Sequence, residues 1–134
     1  MKLITRDTDY AIRALCYIAK KKNELVSASE LVKGLRMPRP FLRKILQALN
    51  RKKFLRSYKG LGGGFKLNMP PEKMFLLGLM EAFQGPCRLS EHTFKNALCP
   101  HTRKCRLKKR LDAIERYVVR KLKDITIFSI INQK

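Results

Sequence analysis

Residues 26–67 read as two short helices joined by a tight turn and followed at once by a glycine-rich hairpin, an order that leaves few folds open. In "VSASELVKGLRMPRPFLRKILQALNRKKFL", Ser27 or Ser29 can cap a first helix reaching about Lys33, and Gly34 supplies the left-handed residue that ends it. A turn of four residues follows. Pro38 and Pro40 then permit a second helix to start, because proline is tolerated in a first turn whose amides are unpaired anyway. Phe41, Leu42, Ile45, Leu46 and Leu49 recur at helical spacing and point inward, leaving Arg39, Arg43, Lys44, Gln47, Asn50 and Arg51 for the other faces. The pattern is a helix-turn-helix, whose second helix can enter a major groove; an ordinary helical hairpin is the plain alternative. The next segment favours the first. Residues 54–57 and 65–67 are strand-like runs around "YKGLGGG", whose glycines let the backbone turn and approach another surface closely. A hairpin directly after a recognition helix is a wing. It is not a phosphate-cradling P-loop, since the Gly-Lys-Ser/Thr ending is missing and no helix opens there.

Charge says what such a fold would meet. Residues 31–71 hold eleven lysines and arginines and not one aspartate or glutamate. Over all 134 residues, 31 basic against 10 acidic side chains give a formal net charge of +21, of which +13 lies in residues 1–70. A charged face is ordinarily just solvated, but self-repulsion of this size is costly without a polyanionic partner. Lysines and arginines that neutralise phosphates release condensed counterions, which favours duplex nucleic acid over an anionic membrane surface. The candidate DNA contacts are Arg39, Pro40, Arg43 and Lys44 at the start of the second helix, with Lys59, Gly60 and Gly62 in the wing. A basic RNA- or ribosome-associated protein is the alternative the charge allows. Such proteins more often expose stacking aromatics, and Tyr58 alone makes a thin platform. An enzyme is disfavoured: no paired-carboxylate site, Ser-His-Asp arrangement or nucleotide loop stands out.

The rest of the chain supplies a scaffold. Ala11, Ala14, Leu15 and Ile18 predict a first helix over about residues 7–21, with Ile12, Cys16 and Ala19 widening its apolar face; Cys16 reads as core. Pro70-Pro71 marks a break, and Met74, Leu76, Leu77, Met80 and Phe83 suggest a short helix up to Gly85-Pro86. Residues 87–105 show little periodicity and read as loop. From about Lys104, Leu107, Leu111, Ile114, Val118, Leu122 and Ile125 step by threes and fours along a helix of about five turns. A lone helix cannot cover its own stripe, so a second copy of the chain is the natural cover, with packing on its own domain as the alternative. The expected organisation is a winged helix-turn-helix domain (1–70), a connecting helix with a cysteine-bearing loop (71–103), and a dimerisation helix with a C-terminal tail (104–134). No apolar run approaches the ~20 residues of a membrane span, and "MKLITRDTDYAIRAL" has charges where a signal peptide needs apolar residues, so a cytoplasmic protein with reduced cysteines is expected.

With "ITRDTDYAIRAL", "RPFLRKILQALNRKKFLRSYKGLGGGFKL" and "CPHTRKCRLKKRL" in view, the chain resembles the Rrf family of small bacterial winged-helix transcriptional regulators. That family includes the iron–sulfur cluster regulator, the nitric-oxide-sensitive repressor and the cysteine-metabolism repressor. The resemblance implies a mainly α winged helix-turn-helix fold, a homodimer, and a double-stranded DNA operator bound by a regulator of repressor type. It also implies a possible cofactor, since in several members cysteines before the dimerisation helix hold an iron–sulfur cluster. Cys99 and Cys105, with five residues between them, match the second and third of the usual three cysteines; the first expected position falls on His92 or Thr93. Cys87 lies further upstream, where the family usually has an aliphatic residue. The implied ligands are Cys99, Cys105 and either Cys87 or His92, with Asp9 of the partner subunit matching an acidic fourth ligand; two-iron and four-iron clusters both stay open. A cluster-free loop on the same fold is the alternative. Structural zinc sites pair cysteines two to four residues apart, which these do not, and a disulfide switch is a further option. The basic residues around Cys105, from Arg103 to Arg110, place a positive potential that suits an anionic sulfur ligand. His101 reads as an exposed polar residue without a role.

Overall fold

The first helix is set by Thr5, whose hydroxyl accepts the Thr8 amide at 3.3 Å. In this computed structural model, which describes residues 2–89 and 105–133, α1 then runs Arg6–Lys20 and buries Thr8, Ala11, Ala14, Leu15 and Ile18. The alanines leave room for close neighbours, and α1 is the hub on which most other elements pack.

Helix α2 (Ala28–Leu35) is capped by Ser27, whose Oγ accepts the Glu30 amide at 3.1 Å. It does not end at Gly34. The left-handed residue is Arg36, with φ of 54°, and the turn is accordingly residues 36–38. Gly34 serves a different need: a Cβ there would lie 2.5 Å from Cε2 of the Tyr17 ring, so any larger residue would have to push that ring aside where α2 rests on α1. Helix α3 (Arg39–Arg51) starts from Pro38 and buries Leu42, Ile45, Leu46 and Leu49. Phe41 is half-buried, edge-on to Tyr10 at 5.2 Å between ring centroids, with the Arg6 guanidinium 4.9 Å over its face.

Strands β1 (Leu55–Tyr58) and β2 (Gly64–Leu67) form an antiparallel hairpin with Leu55 opposite Leu67 and Tyr58 opposite Gly64. Leu55 is buried, and the other three residues of β1 are exposed. Val26 and Phe65 exchange backbone hydrogen bonds of 3.1 and 2.8 Å, seating β2 on the body. Gly64 permits this, since a Cβ there would stand 2.6 Å from the Val26 carbonyl oxygen.

A single 3-10 turn, Pro71–Lys73, leads to α4 (Leu76–Gln84). Helix α5 is Arg106–Lys123, five turns as the periodicity predicts, although Ile125 falls just beyond its end. A further helix, α6 (Ile127–Ile131), follows where the sequence suggested only a tail. Thr126 and Ser129 cap it reciprocally, and Ile127 is fully buried. The Leu76 amide donates to Ile125 O and the Ile127 amide to Met74 O, both at 2.9 Å, so the C-terminal segment is stitched back onto the core beside α1. A five-residue helix is too short to register as a 3.6-residue period. The result is a mainly helical winged helix-turn-helix with a two-stranded hairpin. None of its described helices is long and apolar enough to cross a membrane.

Candidate nucleic-acid interface

The exposed side of α3 begins with Arg39, Pro40, Arg43 and Lys44, all open to solvent. Arg39 and Arg43 are four residues apart and share a face, continued one turn on by Gln47. Arg39 Nη2 donates to Ser29 Oγ at 3.2 Å, which ties this guanidinium to α2 and limits its freedom. The start of α3 differs from that of α1 and α2: no side chain caps it and no acid sits in its first turn, whereas α1 has Asp7 and Asp9 there and α2 has Glu30. The partial positive charge of a helix N-terminus therefore stays uncompensated beside three cationic side chains. Arg6, held over Phe41, brings a fourth toward the same end, a contribution the sequence reading missed because it depends on α1 crossing α3.

In the wing, Lys59, Gly60 and Gly62 are all exposed. Gly60 and Gly62 have φ of +94° and +76°, which side chains other than glycine's rarely adopt, so the turn itself requires both. Arg56 lies directly opposite Lys66 in the strand register. Like charges so placed repel across a hairpin, and an anion between or beside them relieves the repulsion. Among the described residues three ion pairs occur, Arg13–Asp9, Lys21–Glu30 and Lys108–Asp112, and none of them engages a basic side chain of residues 31–71. The face is cationic and internally unneutralised.

The candidate cluster ligands are only partly in view. His92 and Cys99 lie outside the described residues. Cys105 caps α5, its sulfur accepting the Lys108 amide at 3.4 Å. Cys87 is in view and half-buried. It packs beside Leu76, Leu77, Met80 and Leu122, and burial pushes its thiol pKa up, with Glu115 and Glu81 pushing the same way. Asp9 is half-exposed and bonded to Arg13 at 3.1 Å. Among the described residues no three His, Cys, Asp or Glu side chains gather as a metal site would need. Cys16 is half-buried and its thiol pKa raised by burial, as a core residue's would be, with Lys20 opposing.

Gln84 is a linking residue that sequence reasoning passed over. Its carboxamide oxygen accepts the Thr5 amide at 3.0 Å and the buried Thr8 hydroxyl at 2.7 Å, while its NH2 donates to Leu3 O at 2.8 Å. The end of α4, three residues before Cys87, is thus clamped to the start of α1.

Comparisons with known proteins agree with this architecture. The Rrf2 family model, described as an iron-dependent transcriptional regulator, matches residues 4–133. A candidate HTH-type transcriptional regulator of Aquifex aeolicus (strain VF5) is 38% identical over 74 residues, which is 55% of this chain and 51% of that protein, so the match spans about half the relative's length. Among solved structures, CymR (YrzC), the global cysteine regulator of B. subtilis, superposes with a TM-score of 0.80 at 18% identity, covering 100% of this chain and 99% of that one. IscR of T. potens superposes with a TM-score of 0.74 at 16% identity, over 97% of this chain and 85% of that one. At such identities the likeness speaks to the fold.

Proposed function

The chain belongs to the Rrf2 family of transcriptional regulators and is not an enzyme, and from that premise we propose that it is a homodimeric repressor binding double-stranded DNA in the cytoplasm. The single observation that carries the reading is the exposed basic face of α3 and the wing, free of carboxylates and of intramolecular ion pairs. Arg39, Pro40, Arg43 and Lys44 approach base edges or phosphates in the major groove, and Lys59, Gly60 and Gly62 set the wing against the flanking backbone or minor groove. Dimerisation is supported by α5, on which Leu107, Ile114 and Tyr117 are 65%, 51% and 53% exposed along a regular stripe. The chain would then divide into the winged domain (1–70), the connecting helix and cysteine loop (71–103), and the dimerisation segment (104–134), whose last helix returns to α1. The test is titration of labelled duplex DNA over a range of salt. The log–log slope should be about −0.9 per phosphate neutralised, and binding indifferent to salt would remove the reading.

Cys99 and Cys105, with Cys87 or His92 as third ligand and Asp9 of the partner subunit as fourth, would hold an iron–sulfur cluster. Support comes from the capping position of Cys105 at the start of α5 and from the family's description as iron-dependent. Such a cluster, when bound, supplies one-electron redox chemistry and a target for nitric oxide. The chain's own part is mechanical: Gln84 couples the segment entering the cysteine loop to α1, and Asp9 lies one turn further along that helix. Anaerobic purification with iron and sulfide assays decides the matter. Protein that stays colourless after reconstitution, or Cys99→Ser/Cys105→Ser protein with an unchanged spectrum, leaves a cluster-free DNA-binding dimer.

A further inference from the structure

The wing carries one side chain that neither the core nor the basic face explains. Leu61 is wholly exposed, at 108%, the most exposed of the large apolar residues described. The hairpin rests on the body as far as Gly64, and the loop from Lys59 to Gly62 stands beyond it, exposed throughout. Gly63 donates its amide to Gly60 O at 3.0 Å, so Leu61 and Gly62 are the two central residues of the turn. The φ of +76° at Gly62 fits the third place of a type II turn, which presents the residue before it at the apex. The apex is therefore one leucine among glycines, with Lys59 beside it and the Arg56/Lys66 pair behind.

Shape and charge together select a surface for that leucine. A minor groove is about 6 Å wide, too narrow for two strands with side chains but open to a glycine tip with one projecting group. Lys59 at the tip and the Arg56/Lys66 pair on one face behind it offer cations to the phosphates that wall such a groove, and residues 31–71 hold no acid to oppose them. Apolar side chains inserted from the minor groove partly unstack a base step, and this is cheapest at pyrimidine–purine steps. A guanine 2-amino group would fill the groove floor where an A·T pair leaves it clear.

We propose that Leu61 is an apolar wedge that enters the minor groove of bound DNA and selects a flexible A·T step at a fixed offset from the major-groove site of α3. The proposal rests on the DNA-binding reading and adds a specificity-determining residue to it.

The test uses full-length wild-type, Leu61→Ala and Leu61→Phe proteins. The probe is a labelled duplex of about 30 base pairs, long enough for two half-sites, recovered by the wild-type protein from a random library. Each position outside the α3 site is then replaced in turn by G·C or by inosine·C, which lacks the 2-amino group. Wild-type affinity should fall at one G·C step per half-site and recover with inosine. Leu61→Ala should bind about tenfold more weakly, as expected for part of a leucine's burial less the unstacking it drives. It should also lose the guanine–inosine discrimination and bend the duplex less, while keeping its preferences beneath α3. Leu61→Phe should retain the discrimination. Because Leu61 touches nothing, unchanged melting temperatures will exclude misfolding. Leu61→Ala binding within about twofold of wild type, with the discrimination intact, overturns the wedge alone. Loss of self-association with DNA binding preserved also overturns it, by assigning Leu61 to a protein contact. Wild-type protein that recovers no duplex overturns both the wedge and the DNA-binding reading.

Discussion

Helices α3 and α5 look alike on paper and fare differently in the molecule. Each has an apolar stripe at helical spacing and basic residues elsewhere. On α3 the stripe is covered within the chain: Leu42, Ile45, Leu46 and Leu49 are at most 3% exposed, and Phe41 is half-buried against Tyr10. On α5 only the last of the stripe, Leu122, is buried, at 6%, beside α4, while Leu107 and Ile114 face solvent. The helix whose apolar face is satisfied within the chain has only its cationic face left to offer. The helix whose apolar face is unsatisfied has that face to offer, and a second α5 would be its simplest match. Similar patterning thus leaves a cationic face open in one case and an apolar one in the other, and the difference lies in what the neighbours cover.

Ile114→Asp tests the unsatisfied face most severely. A charge buried without a partner at a symmetric seam costs on the order of 3–5 kcal/mol, so sedimentation should show monomers at micromolar concentration where the wild type is dimeric. A wild-type monomer would abolish the contrast between the helices. Leu46→Ala probes the satisfied face. It should lower stability by about 2–5 kcal/mol through lost burial and a residual cavity, read by urea denaturation, whereas Ile114→Ala should cost the isolated monomer far less.

Arg43→Ala addresses the outer face of α3. It should cost about 1–3 kcal/mol in DNA affinity and relax one base position if the contact is bidentate to guanine, with melting temperature unchanged because the side chain is exposed. A uniform loss across sequences would make Arg43 a phosphate contact instead. The smallest effect concerns Cys87 under the covered end of α5. Burial, Glu115 and Glu81 all raise its thiol pKa, so the reactive thiolate is scarcer at neutral pH than in a free cysteine. Iodoacetamide should label it slowly, and the rate should keep rising with pH beyond the range where an ordinary thiol levels off. Glu115→Gln should speed labelling by removing one of the raising charges, and an unchanged rate would leave burial and Glu81 as the causes.

The order helix, turn, helix, hairpin was legible in the residues because each piece is governed by local rules. Ser27 caps, prolines open α3, glycines turn the wing, and apolar residues repeat every three or four places. The charge of the basic segment needs no structure at all. Gly34 shows where local rules stop: it looked like a helix terminator, yet it serves Tyr17, a residue 17 positions away, and Arg36 ends the helix instead. Arg6 over Phe41, Gln84 on Thr5 and Thr8, and α6 against α1 are likewise contacts between segments distant in the chain. Periodicity records which residues avoid water, since that depends on the side chain alone. Which partner removes the water depends on how the elements cross, and that decided which stripe was closed, which was left open, and why Leu61 stands exposed at the tip of the wing.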